Sequence, residues 1–270
     1  MTTTAAAQSQ TTAVLANAAF GDDPGCWPLP AATTPHELWL RAVVAGGQGR
    51  YGCAFADLAT VLRDQPPGPL ASLVHSTHAS LLRQLGWHTR ARTKDGRAWA
   101  QAAGDTEAEA DALIGLAADA LGVGRFAVSE RFLERAREVG TESVPARLAV
   151  RLAWVGAELA MARGDGATAI GHADRAVELA AVLGSARHAV KSDVIRAAAL
   201  CSAGSLERSR RVAEEALEAT GRLQLIPLRW ALACLLADIG GSTRSAAEVA
   251  DLREECADTV RRRGGRWSDR

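Results

Sequence analysis

Three histidines come nearest to a metal-binding pattern in this chain. His75 and His78 lie three positions apart on one predicted helix, and His88 begins the next predicted helix, so a shared ion is geometrically conceivable. Zinc requires three or four ligands in tetrahedral order, and no cysteine or carboxylate stands at a spacing that would complete the set. The sequence therefore predicts no metal site.

Sequence motifs of catalytic and nucleotide-binding sites are missing. The chain contains no G-x-S-x-G elbow, no Walker phosphate loop, no H-E-x-x-H pair and no G-x-G-x-x-G loop between a strand and a helix. Gly122 and Gly124 lie between two predicted helices without the further glycine of a dinucleotide-binding loop. We therefore predict a protein that is not an enzyme, with no catalytic residues and no cofactor.

A basic stretch interleaved with tryptophan is the pattern that could contact nucleic acid, because cations contact phosphates and indoles stack on bases. Its members are Arg83, Trp87, Arg90, Arg92, Lys94, Arg97 and Trp99. Residues 36–100 carry eight Lys/Arg against four Asp/Glu, whereas residues 101–150 carry five against nine. This reversal favours internal ion pairs or docking against a charged protein over a nucleic-acid groove.

Composition narrows the class of protein. The 270 residues are 48% hydrophobic and balance 31 Lys/Arg against 31 Asp/Glu, which predicts an ordered chain without a global field for nucleic acid or an anionic membrane. Five scattered cysteines without a C-x-x-C pair are typical of free thiols in a reducing compartment. The sequence has no run of about 18 apolar residues that could span a membrane. We expect a cytoplasmic protein.

A regular spacing of small residues organises the rest of the chain. Six times a marker alanine is followed by a glycine seven positions later and by another small residue five positions after that. The pairs are Ala42 with Gly49, Ala79 with Gly86, Ala117 with Gly124, Ala157 with Gly164, Ala197 with Gly204 and Ala233 with Gly240. The alanine lets two helices approach closely and the glycine takes the turn. Steps of 36 to 40 residues between glycines are typical of stacked helix pairs.

This spacing predicts an all-α fold, since long helix-forming stretches alternate with short breaks. The predicted pairs are 36–48 with 51–64, 69–85 with 88–101, 106–122 with 125–139, 145–163 with 166–183, 186–203 with 206–220, and 226–239 with 242–263. Residues 1–34 are expected to form a flexible lead with one short helix around 14–20. Residues 35–263 are the predicted helical domain, and residues 264–270 are a predicted tail.

Seven residues of the first unit stand at the spacing of a known helical repeat. They are Ala42, Gly49, Tyr51, Ala54, Leu58, Val61 and Pro66. They match the small residue, turn, aromatic, alanine, large apolar, small apolar and closing proline of the tetratricopeptide repeat (TPR) family, which the chain therefore resembles. Later units keep the small positions and lose much of the rest. The resemblance covers roughly residues 35–263 and implies a right-handed α-solenoid of about six antiparallel helix pairs.

In that family the first helix of each pair lines a concave groove that holds a partner peptide. Carried over position by position, the resemblance implies a groove formed by Trp39, Arg83, Gln84, Arg151, Trp154, Glu158, Lys191 and Trp230. Aromatic residues and arginine dominate binding energy at protein interfaces, and the cations could pair with carboxylates of a peptide. The alternative stays open that the tryptophans belong to the core and the cations solvate an exposed face.

Two functions are consistent with this arrangement. The first hypothesis is a non-catalytic protein-protein interaction module, a scaffold or adaptor that binds a partner segment in its concave groove. The second is a regulatory protein that senses a ligand or peptide and acts through another protein. The repeats resemble the sensory part of bacterial transcription regulators, and the chain has no recognisable DNA-reading helix-turn-helix. The sequence leaves the partner's identity and the oligomeric state open.

Overall fold

All regular structure in the described residues is α-helical. The computed structural model describes residues 2–64, 67–139 and 145–268, and for residues 2–7 the backbone alone. These residues form thirteen helices and no strand, which confirms the all-α prediction. The helices are α1 (Thr2–Phe20), α2 (Pro35–Gly47), α3 (Tyr51–Asp64), α4 (Pro69–Gln84), α5 (His88–Gln101), α6 (Thr106–Gly122), α7 (Phe126–Val139), α8 (Ala146–Ala162), α9 (Gly166–Leu183), α10 (Ala186–Ser202), α11 (Leu206–Arg222), α12 (Ile226–Ile239) and α13 (Ala246–Arg262).

After α1 the helices pack in consecutive pairs. The first helices are α2, α4, α6, α8, α10 and α12, and each packs on the second helix that follows it. Each first helix also contacts the next first helix, from α2 with α4 to α10 with α12. The first helices therefore form a continuous inner wall. Each second helix up to α11 packs between its own partner and the next first helix, which gives the fold its repeat-like character.

The recurring small residues lie where the spacing predicts. All six marker alanines have no exposed surface, and all six marker glycines adopt a left-handed φ between 74° and 86°. A residue with a Cβ rarely adopts that conformation, so glycine is required at these turns. The next small residue is also fully buried in the first five pairs, and the Ser209 hydroxyl donates to the Ala197 carbonyl at 2.8 Å.

Most helix boundaries agree with the predicted ones within two residues. The largest difference within the pairs is in the last second helix, which begins at Ala246 instead of residue 242. Its start is fixed by a capping box, in which the Ser245 hydroxyl accepts from the Glu248 amide and the Glu248 carboxylate accepts from the Ser245 amide. Pro66, the predicted closing proline of the first unit, lies outside the described residues.

The N-terminal segment differs from the expected flexible lead with a short helix. Helix α1 runs from Thr2 to Phe20 and packs against α2 and α10. Leu15, Ala18 and Ala19 are buried in the same core as α2, and the Thr12 hydroxyl donates to the Glu37 carboxylate at 2.8 Å. Sequence analysis missed most of this helix because its apolar residues are not concentrated on one face.

The segment after α13 joins the last helix pair to the first. The Arg263 carbonyl accepts from the Gly52 amide at 2.9 Å, and the Arg263 guanidinium donates to the Gln48 carbonyl at 2.7 Å. Further along, the Ser268 amide donates to the Leu85 carbonyl at 2.9 Å. The chain of helix pairs therefore returns to its starting point and surrounds a central space.

Candidate functional site

One cavity lies at the centre of the inner wall, with a volume of about 390 Å³. Every first helix contributes to its lining, whereas His88, at the start of α5, is the sole contributor from a second helix among the described residues. The eight residues predicted to face the groove all line this cavity: Trp39, Arg83, Gln84, Arg151, Trp154, Glu158, Lys191 and Trp230. The structure thus brings together side chains that are up to 191 positions apart in the sequence.

Two of the predicted tryptophans are fixed by equivalent hydrogen bonds. The Trp39 indole nitrogen donates to the Thr77 hydroxyl, and the Trp154 indole nitrogen donates to the Ser192 hydroxyl, each at 2.9 Å. In both cases the acceptor lies 38 residues later, on the next first helix. Trp39 is 5% exposed and belongs to the core, whereas Trp154 is half-buried. Both indoles line the cavity, and Trp39 is the more deeply buried of the two.

The third predicted tryptophan, Trp230, contacts a residue outside the helices. Its ring lies 4.4 Å from the ring of Trp267, centroid to centroid, and both side chains line the cavity. At the other end of the chain Phe20 also lines the cavity, with its ring 6.4 Å from the ring of His188. The terminal segments, which sequence analysis placed outside the functional domain, therefore form part of the site.

Arg83 is held by two carboxylates behind the cavity wall. Its guanidinium forms ion pairs with Asp95 and Asp119, whose side chains have no exposed surface. Burial alone lowers the pKa of Arg83, but the two carboxylates outweigh it, so the pKa lies above its ordinary value. Burial raises the pKa of Asp95 to about 7 and also raises that of Asp119. The predicted groove cation is thus neutralised by acids of the neighbouring helices.

Arg151 and Arg147 share an acid in the middle of the site. Both guanidinium groups pair with Asp111 on α6, and Arg147 also pairs with Glu107 at 2.5 Å. Burial, followed by the positive charge of Arg83, lowers the pKa of Arg151 to about 10. Arg151 therefore stays protonated at neutral pH, with its charge balanced within the wall.

The remaining predicted residues also have partners on the inner wall. The Lys191 ammonium lies 3.7 Å from a carboxylate oxygen of Glu158 and 5.7 Å from the ring centroid of Trp154. The side-chain oxygen of Gln84 accepts a hydrogen bond from the Tyr51 hydroxyl at 2.9 Å. These contacts fix the orientation of Lys191 and Gln84 at the cavity surface.

Sequence analysis missed two adjacent cavity residues at the start of α10, Arg187 and His188. The His188 ring stacks on Trp154 at 5.4 Å and 19°, and its Nδ1 lies 2.8 Å from the Ser185 hydroxyl. Burial and then the charges of Arg187, Arg147 and Arg151 lower the pKa of His188 to about 3. Arg187 precedes the predicted groove residue Lys191 by one helical turn, a spacing that could have identified it.

The other candidate sites have no comparable geometry. Burial lowers the pKa values of His75 and His78 to about 4. Within the described residues no group of three His, Cys, Asp or Glu side chains is arranged to hold a metal ion. In the same ranges no helix has both the length and the apolar character needed to cross a bilayer.

Fold and cavity together define an all-α, helical-repeat-like protein with an internal site of aromatic and charged side chains. No protein-family model matches the chain, and comparison with curated proteins finds no match. The architecture and the chemistry of the cavity are therefore the basis for assigning a function.

Proposed function

We propose that this protein is a non-catalytic, TPR-like binding module that takes a small ligand into the ring of its first helices and reports it to another protein. In this proposal the helices form a right-handed solenoid of about six pairs. The recurring buried alanines, the turn glycines and the contact of each first helix with the next support that architecture.

The observation that carries the proposal is the convergence of all six first helices on one cavity. Its volume of about 390 Å³ lies in the usual range of small-molecule sites, about 300–1,000 Å³. Such sites combine apolar and aromatic walls with a few oriented polar groups. Trp154, His188 and the cations beside them supply that combination.

The ends of the chain favour a small ligand over an extended peptide. A long peptide needs an open groove with free anchor positions, but Trp230 already contacts Trp267. The first and last helix pairs are also joined, because the Gly52 amide donates to the Arg263 carbonyl. A long peptide that used Trp230 as an anchor would therefore have to displace Trp267.

A partner segment is the second candidate occupant, and Trp267 is the observation that favours it. This residue belongs to a stretch without regular secondary structure and places an indole against Trp230 in the cavity. A protein segment with an aromatic residue could replace it there. The module would then be an adaptor that exchanges its own terminal segment for that of a partner.

We further propose a cytoplasmic location. All five cysteines are free thiols in the structure, and the buried Cys256 has its pKa raised to about 11 by burial. Unpaired cysteines are typical of a reducing compartment.

The experiment for the proposed function is a thermal-shift panel of neutral, cationic and anionic small molecules on the intact protein. A ligand at one hundred times its Kd adds about 2.7 kcal/mol to the free energy of unfolding. We expect at least one chemical class to raise the melting temperature, and Ser80→Trp, which fills the cavity from α4, to abolish that shift.

Ala181→Trp is the matched control because Ala181 is exposed on α9, outside the cavity. It should respond to the ligand as the wild-type protein does. If no compound of any class shifts the melting temperature, the small-ligand proposal is wrong. If peptides with an aromatic residue bind in competition with residues 264–268 instead, the adaptor function replaces it.

A further inference from the structure

Among the described residues, every cation that lines the cavity is paired with a carboxylate, with one exception. Arg83 is opposed by two carboxylates, Asp95 and Asp119, and burial raises the pKa of both. Two further groups, Arg147 and Arg151 with Asp111 and Glu107, and Lys191 with Glu158, each contain as many acids as bases. Their ion pairs all lie on the inner wall.

Arg187 is the exception. Among the described residues it forms no ion pair and no hydrogen bond, although its side chain is half-buried and lines the cavity. Burial lowers its pKa, and the group that opposes this shift is Tyr51, a neutral hydroxyl at ordinary pH. The resulting positive charge is therefore uncompensated within the described part of the chain.

The position of Arg187 is set by the end of helix α2. A Cβ on Gly47 would lie 3.3 Å from the Arg187 Nε and 3.5 Å from its Cζ, so the missing side chain of Gly47 leaves room for the guanidinium. Arg187 thus extends from the start of α10 toward α2, between the helices that form the inner wall. A partly dehydrated cation without a counter-ion raises the free energy of the folded protein, and a bound anion would remove that cost.

Flat aromatic surfaces line the same cavity as this cation. His188, the following residue, stacks on Trp154 with nearly parallel rings, and the Lys191 ammonium, one turn further along α10, lies 5.7 Å from the centroid of the same indole. Planar rings are favoured beside such surfaces by stacking. Arg187, His188 and Trp154 line one cavity, and the charge of Arg187 lowers the pKa of His188. An anion paired with Arg187 would therefore carry an attached ring into the space that these aromatic side chains line.

We propose that the ligand is a small planar organic anion whose carboxylate or phosphate pairs with Arg187 and whose ring lies beside Trp154 and His188. This inference rests on the proposed function and adds the chemical class of the ligand. Arginine suits either anion because its planar fork donates two parallel hydrogen bonds. Carboxylate and phosphate share this chemistry, and the experiment separates them.

The test compares three probes of one shape, namely naphthalene-2-carboxylate, 2-naphthyl phosphate and the neutral 2-naphthamide, by titration calorimetry on the full chain. We expect at least one anion to bind about tenfold or more tightly than the amide, as charge-assisted hydrogen bonds allow. The better anion identifies the head group. Equal affinities for the amide and both anions would overturn the inference.

Arg187→Gln removes the charge and keeps much of the length of the side chain. Anion affinity should fall about tenfold or more, amide affinity should stay unchanged, and the melting temperature of the free protein should not fall, because Arg187 forms no ion pair with any of the described residues. Arg175→Gln, on the exposed face of α9, is the matched control and should retain wild-type affinity. Unchanged anion binding by Arg187→Gln would also overturn the inference.

Gly47→Leu provides a variant that keeps Arg187 and fills the space beside its guanidinium. This variant should lower the affinity for the anions more than the affinity for the amide. The two proposals fail separately: neutral compounds that bind in the cavity while both anions do not would refute the anion site alone. A cavity that binds no compound of the full panel would refute the proposed function and this inference together.

Discussion

The inner wall of first helices and the outer layer of second helices both carry arginine–carboxylate ion pairs, but the burial of those pairs differs. On the inner wall the Arg83 side chain is 11% exposed and its partner Asp95 is fully buried. On the outer layer the paired side chains of Arg175 and Glu178 are 60% and 66% exposed. Exposed pairs contribute little to stability because water screens them, whereas a dry charge depends on its partner. The degree of burial therefore determines how strongly the loss of one partner lowers the free energy of unfolding.

The largest effect is expected from Arg83→Gln. It leaves Asp95 and Asp119 next to each other without a cation, and breaking a buried pair costs about 3–5 kcal/mol of the free energy of unfolding. Urea denaturation measures this loss. Arg163→Gln, which breaks the exposed pair of Arg163 with Glu130, is the exposed-pair control and should leave the unfolding midpoint nearly unchanged.

A second change sharpens the Arg83 result. Adding Asp119→Asn to Arg83→Gln removes one of the two acidic groups that lost their cation, so the double variant should recover part of the lost stability. If the double variant is less stable than Arg83→Gln, charge is not the reason for the effect and packing around Arg83 has to be considered instead.

Overpacking the contact between helices should have the next largest effect. Ala157 is fully buried between α8 and its neighbours, so Ala157→Trp should cost about 1–3 kcal/mol. The same substitution at the exposed Arg175 should be nearly neutral. Thermal unfolding monitored by circular dichroism compares the two variants. Equal melting temperatures would contradict the role assigned to the marker alanines.

His188 should make the stability of the inner wall depend on pH. Its pKa is about 3 in the folded protein against about 6.5 in the unfolded chain. Between these values the unfolded chain binds the extra proton, so this residue lowers stability as pH falls from 6.5 toward 3. Replacing it, as in His188→Phe, should reduce the slope of stability against pH by up to about 1.4 kcal/mol per unit.

Denaturation at pH 4, 5, 6 and 7 separates this titration from packing. A packing defect in His188→Phe would lower the free energy of unfolding equally at all four pH values. Loss of the titrating group would instead change the slope of that free energy against pH. An unchanged slope would contradict the burial of a neutral His188 beside the three arginines.

The smallest effect is expected at the closing segment. Trp267→Ala removes the contact with Trp230, and an aromatic pair contributes about 0.5–1.5 kcal/mol beyond its buried area. The melting temperature should fall slightly. Proteolysis should cut near residue 266 sooner than in the wild-type protein, and equal cleavage rates would show that the aromatic contact does not hold the segment.

The repeat architecture and the residues of the cavity were predictable for a physical reason. The marker alanines and glycines act locally, since one sets a close helix contact and the other a left-handed turn. Once the helix pairs are in register, residues at repeat-equivalent positions of the first helices face the same side. This is why eight side chains chosen by position, from Trp39 to Trp230, line one cavity.

The closing segments and the charge balance could not be read from local patterns. Helix α1 has no distinct apolar face, and its burial depends on contacts with α2 and α10. Likewise, the acids that neutralise Arg83 come from α5 and α6, 12 and 36 positions further along the chain. The sequence alone does not distinguish Arg83, which has two carboxylate partners, from Arg187, which has none among the described residues.

The joined ends have a mechanical consequence. A coil that is free at one end can change its pitch by small adjustments along its whole length. Here the Ser268 amide donates a hydrogen bond to the Leu85 carbonyl, and the Trp87 indole donates one to the Arg266 carbonyl at 2.7 Å. Any occupant that widens the ring must strain these hydrogen bonds, so amide hydrogen exchange at Ser268 would register that expansion before the helices themselves unwind.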